Sequence, residues 1–185
     1  MKSVRLALTA MLMGALSTVA VVAVWAQSAA QKSNAEMSFA RLKSLAGTWK
    51  GALSVDPPQA GMGGEGWVSL RVTSRGNALV HEMKKPGTPD DPAKDDPITM
   101  LYLDEGRLLL THFCDAGNRP RMAARTSADG KTIEFDFLDV AGGTEHGHMH
   151  HAVFTLVDEN HHIEDWTYMA GGQPIHARFE LERAK

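Results

Sequence analysis

Between residues 48 and 182 the chain reads as ten short apolar or alternating runs, each closed by turn residues, and this rhythm limits the fold more than any other feature. The runs fall at 48–54, 66–73, 77–84, 97–103, 107–114, 119–126, 131–139, 148–157, 161–170 and 174–182. Alternation at period two gives a strand one buried and one wet face. Several joints are tight-turn pairs suited to hairpins: Glu105-Gly106, Asp129-Gly130 and Glu159-Asn160. Two joints are longer, the glycine-rich 57–66 and the charged, proline-broken 84–97. Ten strands joined mostly by hairpins form a meander, and closing it into a barrel removes both exposed edges. A two-sheet sandwich is the alternative. The expectation is an all-β, ten-stranded antiparallel up-and-down barrel with one short N-terminal helix. Met37, Phe39, Ala40, Leu42 and Leu45 place that helix at 36–45, and Gly47 ends it.

Ahead of the helix, Lys2 and Arg5 precede an apolar run from Leu6 to Trp25, followed by Ala26. This reads as a signal peptide over 1–26, a polar tether over 27–35 and a single domain over 36–185. A retained membrane anchor is the alternative, because the run approaches the ~20 residues that span a bilayer. Thr9, Gly14, Ser17 and Thr18 weigh against it. The expected location is therefore periplasmic or extracellular. Cys114 is the one cysteine, so no disulfide forms within the chain and stability must come from packing. The net charge of −3 becomes more acidic once Lys2 and Arg5 are removed, and no basic stripe exists. That excludes a nucleic-acid footprint. A small molecule is the expected partner, bound by a monomer or homodimer.

The stretch SLAGTWKGAL (44–53), a helix end running into Gly-x-Trp on the first strand, resembles the opening of the calycin barrels: lipocalins, fatty-acid-binding proteins and nitrobindins. The resemblance implies that Trp49 packs across one barrel end. ITMLYLDEGRLLLTHFCDAGNRPRM (98–122) and KTIEFDFLDV (131–140) are similar to a bacterial family of small exported lipocalin-like proteins of unknown function. In nitrobindin-type barrels a histidine on the last strand binds haem, and the matching position here is His176 in PIHARFEL.

Turn parity sorts side chains by face. A two-residue turn at Glu105-Gly106 places Leu101, Leu108, Leu110, His112 and Cys114 together, with Met100, Tyr102 and Phe113 opposite. Either plausible turn through Asp115–Asn118 adds Arg119, Arg121 and Arg125 to the His112 face. The Asp129-Gly130 turn then adds Glu134 and Asp136. In the second half, a Glu159-Asn160 turn groups His151, Val153, Trp166 and Tyr168, with His148, His150, Asp165, His176 and Arg178 opposite. Parity leaves open which face lines the lumen.

Three chemistries remain. A ligand with an acidic or carbonyl head could be oriented by Arg121 and His112, near Cys114 and Asp136, or by Tyr102 if the other face is inside; arginine matches a carboxylate bidentately. His148, His150 and His176 could instead supply three ligands to a divalent metal, or His176 could bind haem. Finally, Arg121 beside Cys114 and His112 could favour a thiolate and a thiol-dependent enzyme. No nucleophile elbow, phosphate loop or paired-acid motif accompanies that last group. No cofactor is required by the sequence. The reading favoured overall is an exported barrel holding a partly apolar small molecule. His161 and His162, flanking a turn, read as solvated.

Overall fold

The computed structural model describes residues 34–85, 87–89, 97–113 and 116–185. The expected leader, most of the tether and Cys114 lie outside the described residues. The chain forms a helix α1 (34–44) followed by ten strands: β1 (Gly47–Asp56), β2 (Gly64–Thr73), β3 (Ala78–Glu82), β4 (Ile98–Asp104), β5 (Arg107–Phe113), β6 (Arg119–Thr126), β7 (Thr132–Ala141), β8 (His148–Leu156), β9 (His161–Ala170) and β10 (Gln173–Arg183). Each strand pairs antiparallel with its sequence neighbours, and β1 pairs with β10 to close the barrel. The closure runs from Trp49 opposite Arg183 to Asp56 opposite His176. All ten expected strands and the expected closure are therefore present.

Turn chemistry explains much of this order. Glu105 and Gly106 both have positive φ, 49° and 76°, and join Asp104 to Arg107 in a two-residue turn that matches strand twist. Gly51 lies on β1 against the backbone of β10. A Cβ there would lie 1.8 Å from the carbonyl oxygen of Glu180, so only glycine fits.

Helix α1 plugs one end of the barrel. Phe39 and Leu42, with Leu45 just past its last turn, are buried from this segment and join the core of Val68, Leu70, Leu101, Leu110, Phe135 and Phe154. Trp49 lies beneath the helix with no solvent exposure and donates from Nε1 to the Leu45 carbonyl at 2.7 Å. The Arg183 guanidinium covers its ring at 4.1 Å, and His162 meets it edge-on at 4.3 Å. Trp49 thus fills the helix end, as the resemblance implied. Strands β1, β3, β5, β7 and β9 finish at the other end, which is the mouth.

Two parities differ from the sequence reading. Leu110 stands opposite Met122 and Thr111 opposite Arg121, so an odd number of residues joins β5 to β6. Met122 therefore shares the inner face with Leu110 and His112, while Arg121 turns outward with Thr111. The β8–β9 hairpin is also odd: Leu156 faces His162, and Val157 donates to the His161 carbonyl. Ala152 and Phe154, not His151 and Val153, consequently join Trp166 inside. A bulge between Met149 and His151 then shifts the register again, so that Met149 faces Tyr168. The lumen is lined by the leucine face of β4 and β5 together with the aromatic face of β9 and β10.

Candidate ligand-binding site

A cavity of about 530 Å³ occupies the mouth half of the lumen. Its walls are mostly apolar: Leu53 from β1, Met149 from β8, Tyr168 from β9, and Ile175, Ala177 and Phe179 from β10. Met83, Pro97, Gln59 and Met62 rim it from the segments after β1 and β3. Trp166 and His112 also line it, and both are almost wholly buried, at 2% and 1% exposure. They form its polar floor.

His112 is held by strand pairing. It faces Thr99 across β4–β5, and the Thr99 hydroxyl engages Nδ1 at 2.8 Å. The second ring nitrogen, Nε2, is left to the cavity. Burial, with a smaller contribution from His81, pushes the pKa of His112 down from 6.5 to about 4. The imidazole is accordingly neutral near pH 7 and can donate or accept one hydrogen bond.

Beneath this floor lies a polar cluster closed to solvent. Glu164 accepts from or pairs with His81 Nε2 at 2.8 Å and His162 Nε2 at 2.9 Å, and Trp166 Nε1 donates to it at 3.0 Å. His81, His162 and Glu164 are 0%, 1% and 0% exposed. Burial alone would raise the Glu164 pKa, but the two imidazoles outweigh it and hold the carboxyl well below the usual range. The Nδ1 atoms of His81 and His162 have no hydrogen-bond partner. One carboxylate therefore compensates two buried imidazoles and, through Trp166, fixes the indole that forms the cavity floor.

The expected site residues are only partly brought together. His112 is at the cavity, as expected for the polar anchor. Arg121 is not: it lies on the outer surface, donating from Nε to Asp139 at 2.8 Å, because the β5–β6 connection inverts the predicted parity. Asp136 is also outside, paired with Arg125 at 2.6 Å: turn parity groups both with His112, and the same odd β5–β6 connection sends them to the other face, away from the lumen. Tyr102 sits on the outer face with its hydroxyl on Thr111 Oγ1 at 3.0 Å. Removing the exposed Arg121–Asp139 pair by Arg121→Ala should change stability by about 0–1 kcal/mol and leave ligand binding unaltered; urea midpoints and a binding titration check both.

The three candidate metal histidines do not converge. His148 and His150 are bonded to each other at 3.1 Å, and His150 stacks on Phe137 with ring centroids 4.7 Å apart. His148 stands opposite Met169, which faces Pro174, whereas His176 stands opposite Thr167 and bonds its hydroxyl at 3.1 Å. His176 points out of the barrel while its neighbours Ile175 and Ala177 point in. The residues present at the lumen thus do not fit haem held through His176. Among the described residues, the one group of three metal-ligating side chains that converges is Glu134, Asp136 and His151 on the outer surface, where Arg125 already bonds both carboxylates. His162, expected to be solvated, is a core residue.

The titration of His112 has a consequence for stability. Its folded pKa lies below the unfolded value, so protons bind the unfolded chain first as pH falls. The stabilisation from keeping it neutral is complete above pH 6.5 and is lost between 6.5 and about 4. The loss should approach about 3 kcal/mol. The check is urea unfolding of wild type and His112→Leu across that range: the variant should gain on wild type as pH drops. Parallel curves would contradict the buried, neutral ring.

Compared with known proteins, the chain matches no family model and no curated relative. The closed ten-stranded barrel is consistent with a calycin-like fold.

Proposed function

We propose that this is an exported barrel protein that binds a mostly apolar small molecule in its lumen, with His112 as the polar anchor. One observation carries the reading: an apolar cavity of about 530 Å³ whose floor presents a neutral imidazole nitrogen. That volume is typical of small-molecule sites, and a few placed polar groups among apolar walls are the usual pattern. Met62, Met83 and Met149 give the walls flexible, polarizable surface able to adapt to a ligand. Among the described residues, the lining is mostly apolar, with His112 as the buried polar group, which suits binding.

The test is to fill the cavity. Ala177→Phe places a ring where the ligand would sit, at an overpacking cost of about 1–3 kcal/mol. The neutral fluorescent probe N-phenyl-1-naphthylamine should bind wild type with enhanced emission, and the variant should lose it while keeping the wild-type circular dichroism. Equal binding by a folded variant would place the ligand elsewhere.

A further inference from the structure

We infer that the lumen selects uncharged ligands, binding alcohols, esters, amides or aromatic amines and excluding carboxylates of the same skeleton. The inference rests on the binding reading above and names the ligand class for that site. Three features of the cavity carry it.

First, among the described residues no lysine or arginine lines the cavity; its titratable groups are His112 and Tyr168. An incoming carboxylate would give up its hydration and gain no cationic partner, which is strongly unfavourable in an apolar site. Arg121, Arg125 and Arg178 all lie outside the barrel, engaged with Asp139, with Glu134 and Asp136, and with Asp165.

Second, the charge nearest the floor has the wrong sign for an anion. Glu164 accepts a hydrogen bond from the Trp166 indole, and Trp166 itself lines the cavity. Both Glu164 oxygens are committed to His81, His162 and Trp166 within the core. With both imidazoles bonded to that carboxylate inside the core, neither is available to a ligand's acid group.

Third, the polar group the floor does present is suited to a neutral partner. With Nδ1 tied to Thr99, His112 Nε2 offers one hydrogen bond from an uncharged ring. Its depressed pKa agrees with that geometry. A hydroxyl, carbonyl or N–H satisfies such a nitrogen; an ionised carboxylate could take the same single hydrogen bond but would gain no positive charge to offset its lost hydration, since burial keeps the ring neutral.

The experiment uses the full mature chain loaded with N-phenyl-1-naphthylamine and displaces the probe with octan-1-ol or octanoic acid at about pH 7.5, where the acid is ionised. The alcohol should displace the probe, and the acid should need at least about tenfold higher concentration. Lowering the pH until the acid is neutral should close the gap. In His112→Leu the probe should remain bound while the alcohol weakens by about three- to tenfold, the worth of one hydrogen bond. If the acid displaces the probe as well as the alcohol does, the selection for uncharged ligands is wrong and lumen binding stands. If the probe, the alcohol and the acid all fail to bind, the binding reading itself falls and takes the inference with it.

Discussion

Glu164→Gln is expected to destabilise the fold by about 3–5 kcal/mol, the cost of breaking a buried ionic group by removing one partner. The glutamine keeps the shape but not the charge. His81 and His162 would then sit at 0% and 1% exposure without the carboxylate that both bond, and with both Nδ1 atoms still unpartnered. For a domain of this size such a loss should lower the Tm by roughly 10 °C or more. Calorimetry on wild type and variant measures it. The cause can be separated from simple loss of packing. Replacing His81, Glu164 and His162 together by leucine removes all the charges, and such replacements of buried ionic clusters are often neutral or stabilising. The triple variant should therefore be markedly more stable than Glu164→Gln. A triple variant as unstable as the single one would mean that shape, not charge, sets the cost. The carboxylate itself stays ionised until strongly acidic pH, because its folded pKa lies below the ordinary 4.5. Its stabilising contribution is present above that ordinary value and fades only as pH falls through the lowered one.

Trp49→Ala should cost about 3–5 kcal/mol, in the range for emptying a large buried aromatic site. The indole is wholly buried, and three elements lean on it: the helix end through Leu45, β10 through Arg183 and β9 through His162. Its loss opens the helix-plugged end, so the helix should release along with it. Far-ultraviolet circular dichroism and hydrogen exchange at 36–45 should show early opening of α1. Protection at α1 equal to wild type would contradict the role of Trp49 as the plug's support.

The fold was legible because its signals are local. Ten alternating runs, a Glu-Gly turn with positive φ at both residues and a Trp beside the helix end all act within a few residues of sequence. The site was less legible because face assignment passes through every turn, and one residue more or less inverts all that follows. The β5–β6 connection did this to Arg121, sending it outside, and the β8–β9 connection did it to Ala152 and Phe154. A bulge at His150 then shifted the register of the histidine run, which no periodicity foretells. His112 survived because its face was fixed by the secure Glu105-Gly106 turn. The buried cluster was missed for a different reason. His162, Glu164, Trp166 and Tyr168 alternate along β9, and the two aromatic residues were already on one face. The same step places Glu164 and His162 inside, and His81 follows Leu79 in the same way on β3. His162 was read as solvated because it flanks a turn, and Glu164 and His81 were not singled out, although burial of such groups is tolerated where they are paired.

The central claim is that ligands enter the lumen and reach His112. Methionine-methyl NMR tests it directly, because Met83 and Met149 line the cavity whereas Met37 is exposed on α1 at the opposite end. On titration with N-phenyl-1-naphthylamine, the Met83 and Met149 methyl signals and the His112 ring signals should shift together, with Met37 unmoved. Shifts at Met37 while Met83, Met149 and His112 stay fixed would contradict it.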